Sequence, residues 1–170
     1  MPRPRVRAAG SDKMPKPELP IRLRKGEMRD AAAIQTCVCR LMAETADGPA
    51  DPAQVLLGVK AVLKDARKGF YLLAESKDPA GLAGLLRVNF AWDDRGNRWL
   101  WWLADAWVEP AWRGRGVFRA LFRHLADLAR FHKGVAGIQL RLQGHRRDLA
   151  PLPTALGLQK TPDELWEILF

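Results

Sequence analysis

The residues best suited to chemistry lie in one stretch, Val108-Glu109-Pro110-Ala111-Trp112-Arg113-Gly114-Arg115-Gly116-Val117-Phe118-Arg119-Ala120-Leu121. It reads as the end of a strand, a glycine-rich basic turn and the opening of an amphipathic helix. Gly114 and Gly116 let the backbone turn sharply and expose its N–H groups. The first turn of the following helix adds unpaired donors and the positive end of the helix dipole. Arg113 and Arg115 add fixed positive charge suited to phosphate oxygens. A diphosphate fits such a cradle. Two glycines before a helix would also make an ordinary turn, but the whole string is more specific than that. No Gly-Lys-Ser/Thr follows, which excludes a Walker loop, and Gly-x-Gly-x-x-Gly is absent, which excludes the dinucleotide fingerprint.

The elements around this stretch follow from hydrophobic period. Residues 1–20 carry five prolines and few large apolar side chains, and read as a flexible basic tail that leaves residues 21–170 as a single domain. Alternation over residues 21–24 predicts a short first strand. Ala33, Ile34, Cys37, Val38, Leu41 and Met42 form a helical stripe over residues 30–44. Asp51 is placed to cap a second helix with Pro52 at its first position, and Val55, Val59, Val62 and Leu63 carry that helix toward Gly69. Residues 70–75, 82–92 and 98–109 are strands separated by turns at 78–81 and 93–97, an antiparallel meander. A helix over residues 116–131 buries Val117, Ala120, Leu121, Leu125, Leu128 and Ala129. Residues 137–142 and 165–170 complete the strands. The order is that of an α/β fold with a mixed sheet. Six of the seven tryptophans fall between Trp92 and Trp112. They read either as an aromatic wall for a substrate or as the packing of a wide sheet; Trp101 and Trp102, being adjacent, face opposite ways.

Charge narrows the partners. The net charge is +9 over 170 residues, and 113–147 alone holds nine Lys and Arg against one acid, Asp127. The tail has five bases and two acids. A polyanionic ligand suits this distribution; nucleic acid would also suit it and is the less favoured partner. No apolar run approaches the ~18–20 residues that span a membrane, and the N-terminus lacks the apolar stretch of a secretory signal. Cys37 and Cys39 are the only cysteines. Two residues apart on a helix, they point away from each other and neither bridge nor share a metal, as expected of a reducing, cytoplasmic compartment.

Val-x-Pro-x-x-Arg-Gly-x-Gly-Val followed by an amphipathic helix resembles the acyl-CoA-binding motif of the GNAT superfamily of N-acetyltransferases, Arg/Gln-x-x-Gly-x-Gly/Ala. Arg113 and Gly116 match that motif; Phe118 stands at its third, usually small, position. The resemblance runs over residues 21–170. It implies a mixed, mostly antiparallel central sheet with helices on both faces and a splay between the fourth and fifth strands, with the pantetheine arm lying in the splay. It further implies acetyl-CoA as acyl donor, a primary amine as acceptor, no metal, and a family in which homodimers are common. Trp107, Val108, Arg113, Gly114, Arg115, Gly116, Val117, Phe118 and Arg119 are then the cofactor-binding residues, with Arg119 reaching toward the ribose phosphate.

The resemblance places the thioester carbonyl at the backbone of Trp107 and Val108. A carboxylate there could take the amine proton. Asp105 and Glu109 are the local candidates for that base, Glu44 and Glu75 more distant ones. The family's usual acid, a Tyr after the fifth strand, falls on Pro153 when counted without gaps, and the Asn seven residues before it falls on Arg146. Both are departures, and the chain's only tyrosine is Tyr71. Water or His145 could serve instead, the acceptor could be an unusual one, or the chain could be a weak or inactive acyl-CoA-binding or nucleic-acid-binding domain on the same fold.

Overall fold

The computed structural model describes residues 19–45, 50–140 and 154–162. Most of the expected tail, the expected last strand at 165–170, and His145, Arg146 and Pro153 lie outside the described residues. The elements are β1 (Ile21–Lys25), α1 (Ala31–Glu44), α2 (Pro52–Lys64), β2 (Phe70–Lys77), β3 (Ala80–Asp93), β4 (Arg98–Val108), α3 (Val117–Phe131) and β5 (Val135–Leu140). The strands form one sheet in the order β1-β2-β3-β4-β5. The first four are antiparallel neighbours, and β5 runs parallel to β4. No helix among the described residues is long and apolar enough to cross a membrane.

Each face of the sheet buries its own apolar set. On one, α3 packs Val117, Leu121, Phe122 and Leu125 against Leu72, Leu86, Val88, Trp101 and Leu103. On the other, α1 and α2 pack Ile34, Cys37 and Val59 against Tyr71, Leu73, Leu85 and Trp107. A fully buried Leu contributes about 2 kcal/mol by leaving water, so these two layers hold the sheet between them. The Asp51 side chain accepts from the Ala53 N–H at 2.9 Å, with Pro52 opening α2. At the other end of the fold, Arg24 on β1 donates to both oxygens of Asp30 at 2.7 and 2.8 Å and to Glu75 on β2. Asp30 also accepts the Glu27 N–H at 2.8 Å. This clamp sets the direction in which α1 leaves β1.

Two bulges decide which side chains meet which layer. Ala74 pairs with Gly84 but Glu75 with Leu82, leaving Ala83 as an extra residue in β3. Arg87 pairs with Asp105 but Val88 with Leu103, leaving Ala104 as an extra residue in β4. Strand side chains alternate with period two, so an extra residue reverses the parity. Trp101 and Leu103 therefore join the α3 layer, whereas Trp107, also odd-numbered, joins the α1/α2 layer.

Several expectations change in detail. The β2–β3 hairpin is longer than its apolar runs, because the ladder continues through Lys77 and Ala80, where small and polar residues give no hydropathy signal. β4 ends at Val108 rather than Glu109. The third helix starts at Val117, not Gly116, which sits at φ +94° in the left-handed region and ends the loop instead. β5 starts at Val135, two residues earlier than expected, because Trp99 reaches the Gly134 carbonyl at 2.7 Å. In α1 it is Ala31 that is buried while Ala33 is exposed. In α3, Phe122 is buried where Ala120 and Leu128 are only half-buried.

Cys37 is buried in the α1/α2 layer and Cys39 half-exposed; both are free thiols. Burial, reinforced by the charge of Glu109, pushes the Cys37 thiol up to about 11. Since the thiolate is the reactive form, alkylation of the native protein at neutral pH should modify Cys39 first and leave Cys37 unmodified until the protein is unfolded. Equal labelling of both, read by mass spectrometry, would contradict this packing.

Candidate active site

The basic loop hangs between β4 and α3. After Val108 the chain makes one 3-10 turn, Pro110–Trp112, whose Trp112 is buried beneath it. Gly114 at φ +74° and Gly116 at φ +94° then reverse the backbone into the helix. Arg113 N–H bonds to Pro110, Arg115 N–H to Trp112, and Ala120 N–H to Gly116. The N–H groups of Gly114, Gly116, Val117, Phe118 and Arg119 find no acceptor among the described residues. A Cβ at Gly114 would meet nothing within 4 Å among the described residues. Successive N–H groups around left-handed residues, running into a helix N-terminus, form an anion-binding concavity. Gly84 seats the helix: a Cβ there would lie 3.1 Å from Val117 Cγ1 and 2.9 Å from the Trp107 carbonyl.

The arginine side chains of the loop are directed elsewhere. Arg113 turns its guanidinium to α1, donating to both oxygens of Glu44 at 2.9 and 2.8 Å, while its Nε donates to the Val108 carbonyl at 3.0 Å. It also lies over the Trp107 ring at 4.9 Å. The indole N–H of Trp107 is buried with no acceptor among the described residues. Arg115 stacks on Trp112 at 5.3 Å. One turn earlier on α1, Arg40 pairs with Glu109 at 2.7 Å. Arg40 and Glu44 thus hold the loop's two flanks with opposite charges, and Arg113 shapes the loop rather than pointing into it. What the loop offers an anion is its backbone donors and the helix dipole. Glu44 and Arg113 are 69 residues apart, so no local pattern could have paired them.

Beside the loop lies the end of β4. β4 and β5 pair from Trp99↔Val135 to Leu103↔Leu140. β4 runs on to Val108, and its last residues have no partner on that edge among the described residues. Glu109 N–H bonds to the Ala83 carbonyl of β3 at 3.0 Å; by alternation the Val108 N–H faces away from β3.

A sequence model described as the acetyltransferase (GNAT) family matches residues 37–150, about two thirds of the chain. The chain belongs to the GNAT acetyltransferase family. No curated protein sequence matches it significantly. Among solved structures it is similar to a possible acetyltransferase from Clostridium difficile 630, with a TM-score of 0.82 at 23% identity, covering 88% of this chain and 97% of that one. A ribosomal-protein-alanine N-acetyltransferase from Brucella melitensis biovar Abortus 2308 superposes with a TM-score of 0.71 at 17% identity, covering 88% and 99%. AAC(6')-Iy, in complex with a bisubstrate analogue of CoA and acetylneamine, superposes with a TM-score of 0.72 at 16% identity, covering 88% and 98%. At these identities the likeness establishes the fold.

Within this GNAT domain the candidate carboxylates separate. Asp105 lies on the α1/α2 face in a row of directly paired residues, Tyr71↔Arg87↔Asp105, that crosses three strands. Its Oδ2 is 2.6 Å from Arg87 Nε, close enough for an ion pair although the N–H is not aligned on the oxygen. Tyr71 is buried, and burial raises its phenol above the usual range. Glu109 lies past the strand end and is held by Arg40. Glu44 is occupied by Arg113, and Glu75 by the Arg24 clamp at the far side of the sheet. Trp101, Trp107 and Trp112 are core residues. Trp102, directly opposite Asn89, belongs to neither core cluster.

Proposed function

We propose that this GNAT chain is an N-acetyltransferase that moves the acetyl group of acetyl-CoA to a primary amine. The reading rests above all on one juxtaposition: five backbone N–H groups in the Gly114–Arg119 turn, without an acceptor among the described residues, lie next to the end of β4. A diphosphate fits the first, and a thioester-bearing arm fits the second. Gly114, Gly116, Val117 and Phe118 bind the diphosphate through the backbone, with Arg115 beside them and Arg119, exposed on the first turn of α3, toward the ribose phosphate. Arg113 holds the loop in shape. Acetyl-CoA supplies the activated acetyl group. The Val108 N–H stabilises the charge that develops on the carbonyl oxygen, with Trp107 beneath as a rigid floor. Asp105, half-buried on the sheet, takes the amine proton, and Glu109 is the second candidate. Water returns a proton to the departing thiolate. The free thiols of Cys37 and Cys39 are in keeping with action in the cytoplasm.

The test is calorimetric titration with acetyl-CoA, followed by thiol release over a panel of amines. Asp105→Asn is expected to lower kcat about 100-fold or more, the usual contribution of a general base, with acetyl-CoA affinity within twofold of the parent. Glu109→Gln is expected to change kcat less. Full activity in both variants and in the double variant would remove the base from these positions. Failure to bind acetyl-CoA at all would move the basic segment to a nucleic-acid role, in which affinity falls steeply with salt.

A further inference from the structure

The α1/α2 face of the sheet is covered by helices only in part. The row Leu73, Leu85 and Trp107 is buried under α1 and α2. The next row is Tyr71, Arg87 and Asp105, and the row after it is Asn89, Trp102 and Gln139. Arg87, Asp105, Asn89, Trp102 and Gln139 are all half-buried. They form a polar floor with one aromatic plate, on the face opposite α3 and at the last described pairs of β4 with β5.

Arg87 decides what this floor fits. Its Nε lies 2.6 Å from Asp105 Oδ2. Its two terminal nitrogens have no partner among the described residues, and the side chain is 32% exposed. A guanidinium lying against one carboxylate through its Nε leaves its outer fork for a second, and that fork matches an incoming carboxylate in two-point fashion. Asp105, the proposed base, lies directly beside it. We propose that the acceptor is a small zwitterion, an amine bearing a carboxylate a few bonds away: Arg87 reads the carboxylate, Trp102 packs along the carbon chain, and the amine lies at Asp105. This rests on the acetyl-transfer reading above and names the acceptor class for that site.

The experiment titrates CoA-saturated protein with glycine, β-alanine and γ-aminobutyrate, each against the alkylamine in which a methyl group replaces the carboxylate. At least one amino acid is expected to bind 10-fold or more tightly than its alkylamine. Arg87→Met is expected to erase that difference. Arg87→Lys keeps a cation for Asp105 but loses the fork, and is expected to lose most of it; neither change should alter acetyl-CoA affinity more than twofold. Alkylamines binding as well as amino acids, no binding by either series, or an unchanged preference in Arg87→Met would overturn the assignment. Acetyl-CoA binding and thiol release from alkylamines without any carboxylate preference would refute the acceptor class while leaving acetyl transfer intact. Absence of acetyl-CoA binding would instead refute the reaction and this inference with it.

Discussion

Replacing Gly116 by Asp is expected to leave the protein folded and to weaken acetyl-CoA binding at least about 100-fold. The backbone cost is small: Asp tolerates the left-handed conformation better than most residues, at about 1 kcal/mol, and a carboxylate at this position can cap α3. The same carboxylate would occupy the N–H donors that find no acceptor among the described residues and place a negative charge against a diphosphate. Two charges about 4 Å apart near a protein surface interact by about 4 kcal/mol, more than the roughly 2.7 kcal/mol that corresponds to 100-fold. Gly116→Asn separates the causes. It shares the backbone tolerance and shape but carries no charge, and is expected to lose no more than about tenfold, the worth of a hydrogen bond or two. Calorimetry on both variants checks this. An Asp variant that is folded and binds within threefold of wild type would take the loop out of cofactor binding.

Loss of Asp30 is expected to produce the largest change in stability, about 3 kcal/mol for Asp30→Ala. Arg24 and Asp30 are 13% and 10% exposed at their side chains, and removing one partner of a pair so enclosed leaves the other charge without compensation. Glu75 retains part of Arg24, which keeps the loss toward the lower end. The contribution has a pH signature. The hydrogen bonds from Arg24 hold the Asp30 carboxyl below its usual range. A group depressed in the folded state stabilises above its unfolded value, about 3.9, and that stability is lost as pH falls through the folded value. Denaturant midpoints of the wild type should therefore fall on acidification below about pH 4 more steeply than those of Asp30→Ala. Parallel curves would show that the clamp carries no such energy. The same variant should also loosen the loop, because the clamp aims α1, and α1 carries Arg40 and Glu44 to the loop's two flanks.

What the sequence made legible was local. The Gly114–Gly116 turn, the Asp51–Pro52 helix start and the amphipathic stripe of α3 each depend on residues within a few positions of one another, and all could be read without the fold. The resemblance to the GNAT family added the sheet plan. What remained hidden was set across the sheet. The extra residues Ala83 and Ala104 are ordinary alanines in apolar runs, and only their cross-strand partners make them bulges. Phe122 is buried because it packs on the sheet beside Phe118, stacked at 6.3 Å, where a helical wheel favours Ala120. The commitment of Arg113 to Glu44, and of Arg87 to Asp105, could not be inferred from charge alone. Arginines in a basic loop read as phosphate ligands until the structure shows one of them turned to an acid on another helix.

The Ala104 bulge makes the length of β4 a coded quantity. Between Leu103 and Trp107 the chain counts out three residues, and that count alone assigns Leu103 to the α3 layer and Trp107 to the α1/α2 layer. A one-residue deletion there would keep every neighbouring side chain and still send either Asp105 and Trp107 or Trp101 and Leu103 to the wrong layer. The hairpin turns at 78–79 and 94–97 carry no such count. Tolerance of insertions and deletions in this chain should therefore vary sharply over a few residues, with the least of it in a stretch whose composition looks unremarkable.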